Sequence, residues 1–311
     1  MPIVVMAYQD IGWVCLDELL QLGAEVAAVV THSDAPGEEI WFRSVADRAR
    51  TAGIPVLAPV DVNAPEVVTR LAALAPELLL SFYFRQILKP ALLAVPSRGA
   101  LNLHGSLLPR YRGRCPVNWV LVHGEAETGV TLHHMTPEPD AGDIAAQRRV
   151  PITEDDTALT LNRKLADAAR LLLRATFPAL LAGAVPRIPQ DHARATTFGG
   201  RRPQDGRLVW QRPARELRNL VRAVTHPYPG AFAAWGGTKL FVWQTALVDG
   251  PTAAAPGCIA ALSPAGIVVG TGAGNLRLTQ LQLDGEGEER AFDFACRHGL
   301  HPGDRLENGP C

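Results

Sequence analysis

Lysine is nearly missing from this chain: Lys89, Lys164 and Lys239 are the only lysines among 30 Lys and Arg residues. We attribute that bias, together with the abundant alanine, to genomic base composition. Excess charge of either sign is missing too, since 30 Lys and Arg stand against 31 Asp and Glu for a formal net charge of −1. That balance excludes a broadly basic nucleic-acid coat and an acidic disordered tail, so any affinity for phosphate must come from a local site. Cysteine is scarce and odd in number (Cys15, Cys115, Cys258, Cys296, Cys311), with no C-x-x-C spacing. This excludes a secreted disulfide framework and fits a reducing, cytoplasmic location. No uncharged apolar run approaches the ~18 residues of a membrane span. The start, Met1-Pro2-Ile3-Val4-Val5-Met6, lacks the basic segment, longer apolar stretch and cleavage site of a signal peptide. Internal repeats and low-complexity tracts are absent as well.

What is present is a chain of 311 residues, 47% hydrophobic and 20% charged. At about 100–200 residues per domain this length allows two domains or one large one, either able to bury a core without a disulfide or metal. Over the first 150 residues short apolar runs alternate with amphipathic stretches. Strands are expected at Ile3–Ala7, Glu25–Thr31, Leu78–Phe82 and Ala100–Leu103, and helices at Ile11–Leu22, Val45–Ala52 and Glu66–Leu74. Such alternation predicts an α/β fold with a doubly wound, mostly parallel sheet. Two further strands, Thr128–His133 and Ile144–Val150, flank a Pro/Asp/Gly loop, and Thr157–Leu181 reads as a long helix with Asp155 or Asp156 at its N-cap and Gly183 past its end. Residues 184–206 are rich in Pro, Arg and Gly. Beyond them come a helix at Ala214–Val224 and short β runs at Ala231–Trp235, Lys239–Leu247, Gly257–Ala260, Gly266–Gly270 and Leu276–Leu283, the texture of a small β-barrel-like domain. The expected organisation is a catalytic domain over residues 1–190, a linker over 191–205 and a β domain over 206–305.

Doubly wound sheets bind ligands at the carboxyl ends of their strands. After the first strand stands Ala7-Tyr8-Gln9-Asp10-Ile11-Gly12, with no G-x-G-x-x-G, and no P-loop occurs anywhere; a nicotinamide dehydrogenase and a P-loop NTPase are therefore not expected. Polar residues gather after Ala100–Leu103, in Asn102-Leu103-His104-Gly105-Ser106-Leu107-Leu108-Pro109. On an extended chain, positions two apart point to one face, so Asn102 and His104 bring an amide donor and an imidazole together. Acyl transfer asks for that pair, one group to bond the developing oxyanion and one to move the proton. Downstream, Pro139-Asp140-Ala141-Gly142-Asp143-Ile144 offers a carboxylate to orient the imidazole; spacing alone does not choose between Asp140 and Asp143. Ser106 sits in H-G-S-L-L, which is not the G-x-S-x-G elbow of a hydrolase. The adjacent His133 and His134 point to opposite faces of a strand and cannot both chelate one ion, so no metal is expected.

Asn102-x-His104, the Ser106-Leu107-Leu108-Pro109 stretch with Tyr111-Arg112-Gly113, and Asp140-x-Gly142 together resemble the folate-dependent formyltransferase family, and the resemblance covers nearly the whole chain. It implies a Rossmann-like catalytic domain followed by an OB-like barrel, and transfer of a formyl group from 10-formyltetrahydrofolate to an amine. It implies Asn102 as transition-state stabiliser, His104 as proton carrier and Asp140 as the group acting on that histidine. Folate contacts would fall on Gln86, Ile87, Leu88, Arg114 and the run Thr136, Pro137, Glu138, Pro139 and Asp140. Gln86 stands where the family has histidine, so these contacts are expected largely from backbone. Within the family, Ala7-Tyr8-x-Asp10, Thr31-His32-x-Asp34-x-Pro36-Gly37-Glu38, Ser81-Phe82-Tyr83 and Asn118-Trp119-Val120-Leu121-Val122 resemble the formyltransferase half of the bifunctional polymyxin-resistance enzymes. That branch formylates UDP-4-amino-4-deoxy-L-arabinose for lipid A modification. The implied partner is a UDP-linked amino sugar, with the decarboxylase half expected on a separate chain.

Other acceptors share the catalytic motif. Against a methionyl-tRNA acceptor stand the acidic stretch Ser33-Asp34-Ala35-Pro36-Gly37-Glu38-Glu39 and the near-neutral region 206–311, with 10 Lys and Arg against 9 Asp and Glu; both disfavour a phosphate backbone. A dTDP-linked amino sugar is the nearer alternative, and a non-catalytic folate-binding module the remaining one. Neither nucleic acid nor membrane is an expected partner.

Overall fold

The computed structural model describes residues 1–34 and 39–309; the expectation placed on Ala35–Glu38, and Cys311, lie outside the described residues. The first of two compact units comprises residues 1–116, 126–152 and 161–199, the second residues 117–125, 153–160 and 200 onward. The division at 199/200 falls inside the 191–205 stretch expected as linker.

Chain order begins β1 (Ile3–Ala7), α1 (Gln9–Gln21), β2 (Val26–Val30), α2 (Val45–Thr51), β3 (Val56–Leu57), α3 (Pro65–Ala72), β4 (Leu78–Phe82), α4 (Pro90–Leu93) and β5 (Ala100–His104). There follow β6 (Arg112–Gly113), α5 (Pro116–Val122), β7 (Glu127–His134), β8 (Ile144–Pro151), α6 (Ala158–Ala182) and β9 (Thr197–Phe198). The main sheet runs β3-β2-β1-β4-β5-β7-β8. Its first five strands are parallel, and β7 and β8 are antiparallel. Strands β1 and β4 are buried at every position and, Ser81 of β4 apart, apolar throughout, as central parallel strands covered on both faces are. One face packs Val4, Met6, Val30 and Leu79 against Leu71, Leu88 and Leu92. The crossover from β1 goes to β2 and the return from β3 goes to β4, so strand order reverses between β1 and β4. Helix starts follow local chemistry: Ser44 caps α2 by accepting from the Asp47 amide, and Pro65 opens α3. For α6 the cap is Thr157, which exchanges hydrogen bonds with Thr160, not Asp155 or Asp156. Asp156 instead accepts from the Thr153 amide and the Thr160 hydroxyl.

The second unit carries α7 (Ala214–Val224), β10 (Ala231–Trp235), β11 (Thr238–Val248), β12 (Ile259–Ser263), β13 (Gly266–Gly270), β14 (Asn275–Leu283), β15 (Glu289–Arg290), α8 (Ala291–His298) and β16 (Glu307–Asn308). Its antiparallel sheet runs β12-β13-β14-β11-β10-β16 with β15 on β14. The sheet curls: Ile259 donates to Asp304, and Leu306 to Gly257, so the start of β12 meets the residues just before β16. This is the expected small barrel-like domain. No helix among the described residues is long and apolar enough to cross a membrane.

Candidate active site

Strand β5 ends at His104, and its antiparallel neighbour β7 fixes what lies opposite: His133 faces Asn102 and Thr131 faces His104. Gly105 follows immediately; a Cβ there would stand 2.0 Å from the Tyr83 hydroxyl oxygen, so a larger residue would require the Tyr83 ring to move. The chain then turns through residues braced from β7. The Thr131 hydroxyl donates to the Ser106 carbonyl and accepts from the Leu108 amide, while the buried Ser106 hydroxyl donates to the Arg110 carbonyl at 2.7 Å. Ser106 is thus a loop brace and not a nucleophile.

After β7 the chain loops out and returns to deliver Asp140. Gly142 permits the return, for a Cβ at that position would lie 1.9 Å from the His134 carbonyl oxygen. Of the two carboxylates left open by spacing, Asp140 is the one brought to the site. One of its oxygens lies 3.6 Å from His104 Nδ1 and 3.4 Å from His133 Nε2, and the other accepts from the Gly113 amide at 2.9 Å. Asp143 acts instead on His134.

The ring partners set the protons. His104 Nε2 lies 2.7 Å from the Tyr111 carbonyl; a carbonyl only accepts, so Nε2 carries the hydrogen and Nδ1 of the neutral ring, facing Asp140, is the nitrogen without one. His133 Nδ1 meets the His134 carbonyl, and its Nε2 stands 3.1 Å from the Asn102 amide nitrogen. Neutral His133 therefore accepts from Asn102, while a protonated ring would donate to Asp140; one nitrogen cannot do both. Burial opposes the charge on Asp140, but His104, His133 and the Gly113 amide outweigh it and hold the carboxyl well below the ordinary carboxylate range. Asp140 is a fixed anion between two imidazoles, and Asn102 keeps a second N–H for an incoming oxygen.

The remaining predicted residues divide. Gln86 spends its side chain on the chain itself, accepting from the Val62 amide and donating to the Val60 carbonyl. Ile87 is exposed, Leu88 is buried in the core and Gln86 is half-buried, so of these three Ile87 presents the most exposed side chain. Thr136, Pro137, Glu138 and Pro139 are exposed on the loop leading to Asp140, and Arg114 is exposed beyond Gly113. Arg112, two residues before Arg114, is buried at 6% exposure and bonded to Gln190 and His192. His133 and Gln190 are the residues that sequence reasoning passed over. For His133 the signal existed: side-chain alternation, used to exclude chelation with His134, also puts His133 on the face opposite Asn102.

An amide donor, a buried imidazole and a fixed carboxylate at the carboxyl end of a doubly wound sheet define a site built for acyl transfer. The chain belongs to the formyl transferase family: the profile described as "Formyl transferase" matches residues 9–176, and that described as "Formyl transferase, C-terminal domain" matches residues 201–299. Among solved structures the fold is shared with WlaRD, a sugar 3N-formyl transferase solved in the presence of dTDP and 5-N-formyl-THF (TM-score 0.69, 17% identity, 89% of this chain and 97% of that one). It is shared likewise with the N-formyltransferase from Helicobacter canadensis in complex with folinic acid and dTDP-3-aminofucose (TM-score 0.67, 18% identity, 89% and 98%). HypX from Aquifex aeolicus, in complex with tetrahydrofolic acid, matches at TM-score 0.65 and 16% identity over 99% of this chain but only 50% of its own length.

Proposed function

We propose that this protein transfers the formyl group of 10-formyltetrahydrofolate to the amine of a nucleotide-linked amino sugar. The observation that carries the reading is the joint placement of Asn102, His104, His133 and Asp140 within hydrogen-bonding or ion-pair reach of one another. The folate would lie along residues 86–88, where the side chains of Gln86 and Leu88 are turned into the protein and backbone is left for recognition. It would reach across to Arg114 and to 136–140.

10-Formyltetrahydrofolate supplies an activated formyl carbon. The sugar amine forms the new N–C bond as the bond from that carbon to the folate nitrogen breaks. Asn102 donates its free N–H to the formyl oxygen as negative charge builds there. His104 accepts the proton released by the amine and returns one to the departing nitrogen, and Asp140 holds the ring and balances its charge while it is protonated. Losing an oxyanion donor costs about 10²–10³ in rate, and losing general acid–base help about 10²–10⁴.

The acceptor we place first is UDP-4-amino-4-deoxy-L-arabinose, on the stretches that resemble the polymyxin-resistance branch. A dTDP-linked amino sugar is the second reading, favoured by the two similar sugar formyltransferases solved with dTDP or a dTDP sugar. The near balance of 10 basic against 9 acidic residues in 206–311 supports either over a tRNA. The test is turnover of 10-formyltetrahydrofolate with UDP-aminoarabinose, dTDP-amino sugars and methionyl-tRNA in parallel. Turnover with a nucleotide sugar is expected; turnover with the tRNA alone would overturn the acceptor and keep the chemistry.

A further inference from the structure

Behind the catalytic loop lies a buried side-chain amide that the mechanism does not use. Gln190 is 5% exposed. Its Nε2 donates to two carbonyls of the loop that delivers the catalytic carboxylate, Asp140 at 2.8 Å and Gly142 at 2.7 Å. Its Oε1 accepts from Nε and Nη2 of the buried Arg112 guanidinium, at 3.2 and 2.7 Å. The assignment of the two amide atoms is forced: arginine only donates and carbonyls only accept, so the oxygen must face Arg112 and the nitrogen the loop.

We infer that Gln190 is a positioning residue for the transfer reaction, clamping the 140–142 loop so that the Asp140 carboxylate stays against His104. The inference rests on the formyl-transfer reading of the site.

The bonds close on themselves. From Gln190 they run through Arg112 to the adjacent Gly113, whose amide holds the Asp140 carboxylate, and from the Asp140 carbonyl back to Gln190. Loosening one link frees the others. The clamp is itself anchored on both sides. Ile188 exchanges two backbone hydrogen bonds with Ile144 at the start of β8, and β9 pairs with β6. Asp140 needs such support because its backbone is left-handed, φ 54°, a conformation an aspartate leaves when unconstrained. Its carboxylate is faced by His104 from β5, by His133 from β7 and by the Gly113 amide from β6. Moving it away from them weakens what keeps it ionised.

Gln190→Glu is the discriminating change. It preserves the shape and an oxygen for Arg112 but removes both N–H donors and sets an oxygen against two carbonyls. In the full chain we expect kcat to fall about 10²-fold, the loss that a displacement on the order of 1 Å produces at a reacting centre, with KM for the amine acceptor nearly unchanged and KM for the folate changed by a smaller factor than kcat. The acid limb of kcat should move to higher pH as Asp140 loses its partners and protonates more readily; the charge that Gln190→Glu adds pushes the same way, so the uncharged Gln190→Met must show the shift as well. In an Asp140→Asn background the same change should add little further loss, since both act through one group. NMR of the His104 and His133 rings against pH reads the inference without turnover: the wild type should show no Asp140 titration above pH ~4, and Gln190→Glu should introduce one. Wild-type kcat and pH profile in Gln190→Glu, or a kcat loss fully additive with Asp140→Asn, overturns the inference. A wild type that formylates nothing, with ring titrations still altered by Gln190→Glu, sinks the function reading and leaves the clamp standing. If Gln190→Glu does not fold, Gln190→Met replaces it with the same readouts; failure of both to fold makes Gln190 a folding residue and overturns the inference.

Discussion

Replacing Asp140 by asparagine removes one charge and almost nothing else. The amide is the same size and can still accept from the Gly113 N–H that the carboxylate holds at 2.9 Å. What is lost is the attraction to a protonated His104, whose Nδ1 lies 3.6 Å away. At that separation, unit charges attract by about 5 kcal/mol at an effective dielectric of ~20. The carboxylate gives part of this back in desolvation, since its side chain is only 12% exposed. If about half survives, ~2.5 kcal/mol of support for the imidazolium is lost, close to 10²-fold in rate. The expected Asp140→Asn enzyme is folded, binds both substrates as the wild type does, and turns over about 10²-fold more slowly when tetrahydrofolate release is followed at saturating substrates. Retention of more than about a tenth of wild-type kcat would refute a role for the Asp140 charge. The same substitution has a stability signature. Because the Asp140 carboxyl titrates below its unfolded-state value of about 3.9, its charge stabilises the native state above that pH. This contribution is lost as pH falls from about 4 toward the lower folded-state value. The asparagine variant should therefore melt lower than wild type at neutral pH, with the gap narrowing on acidification below pH ~4.

Two further outcomes follow from the geometry. Asn102→Ala should lower kcat about 10²–10³-fold with KM within a few-fold, and a rise in KM with kcat preserved would assign Asn102 to ground-state binding instead. Gly142→Ala should destabilise by about 2–4 kcal/mol in denaturant melts, since its Cβ would stand 1.9 Å from the His134 carbonyl oxygen and two backbones would have to separate; an unperturbed melt would mean that the return loop is more tolerant than its packing indicates.

The parts of this protein legible from sequence are those in which one local signal decides. Strands Ile3–Ala7 and Leu78–Phe82 match their apolar runs residue for residue, because a parallel strand buried on both faces has no other pattern to show. Helix Ala214–Val224 is equally plain from its spacing and the proline before it. Length alone did not decide which short helices were legible: α2 and α3, seven and eight residues long, were expected from their amphipathic spacing, whereas α5 and α8, of the same lengths, were not. In α5 the residues PVNWVLV are rich in β-branched and aromatic side chains, which argue for a strand as much as for a helix. Composition carried least between 184 and 206. Proline, arginine and glycine there read as a linker, yet Thr197–Phe198 pairs with Arg112–Gly113, and Gln190 is buried against the Asp140 loop. Those partners lie about 80 and 50 residues away in sequence, and composition carries no record of contacts at that range.

The site also explains why the sheet breaks its parallel pattern at β5. A parallel neighbour would need a crossover and would leave its own carboxyl end beside that of β5, with any loop residue reaching the site only from beyond the strands. The antiparallel β7 enters from the other end and runs alongside Asn102 and His104. It therefore sets strand side chains, Thr131 and His133, directly across from them at fixed register. Thr131 braces the turn after His104 through the Ser106 carbonyl. His133 accepts from Asn102 and meets the carboxylate that also faces His104. The loop that carries Asp140 must then come back over the same strand end to start β8, because β8 pairs antiparallel with β7 from His133 onward. Only one position in the site, Asp140, is thus supplied by a loop, and it has a glycine that packs on β7 two residues later and a buried amide at its back. The rigid members of the constellation need only strand register to hold them. The loop member needs Gly142 and Gln190, and substitutions at those two positions should change catalysis without touching a reacting atom.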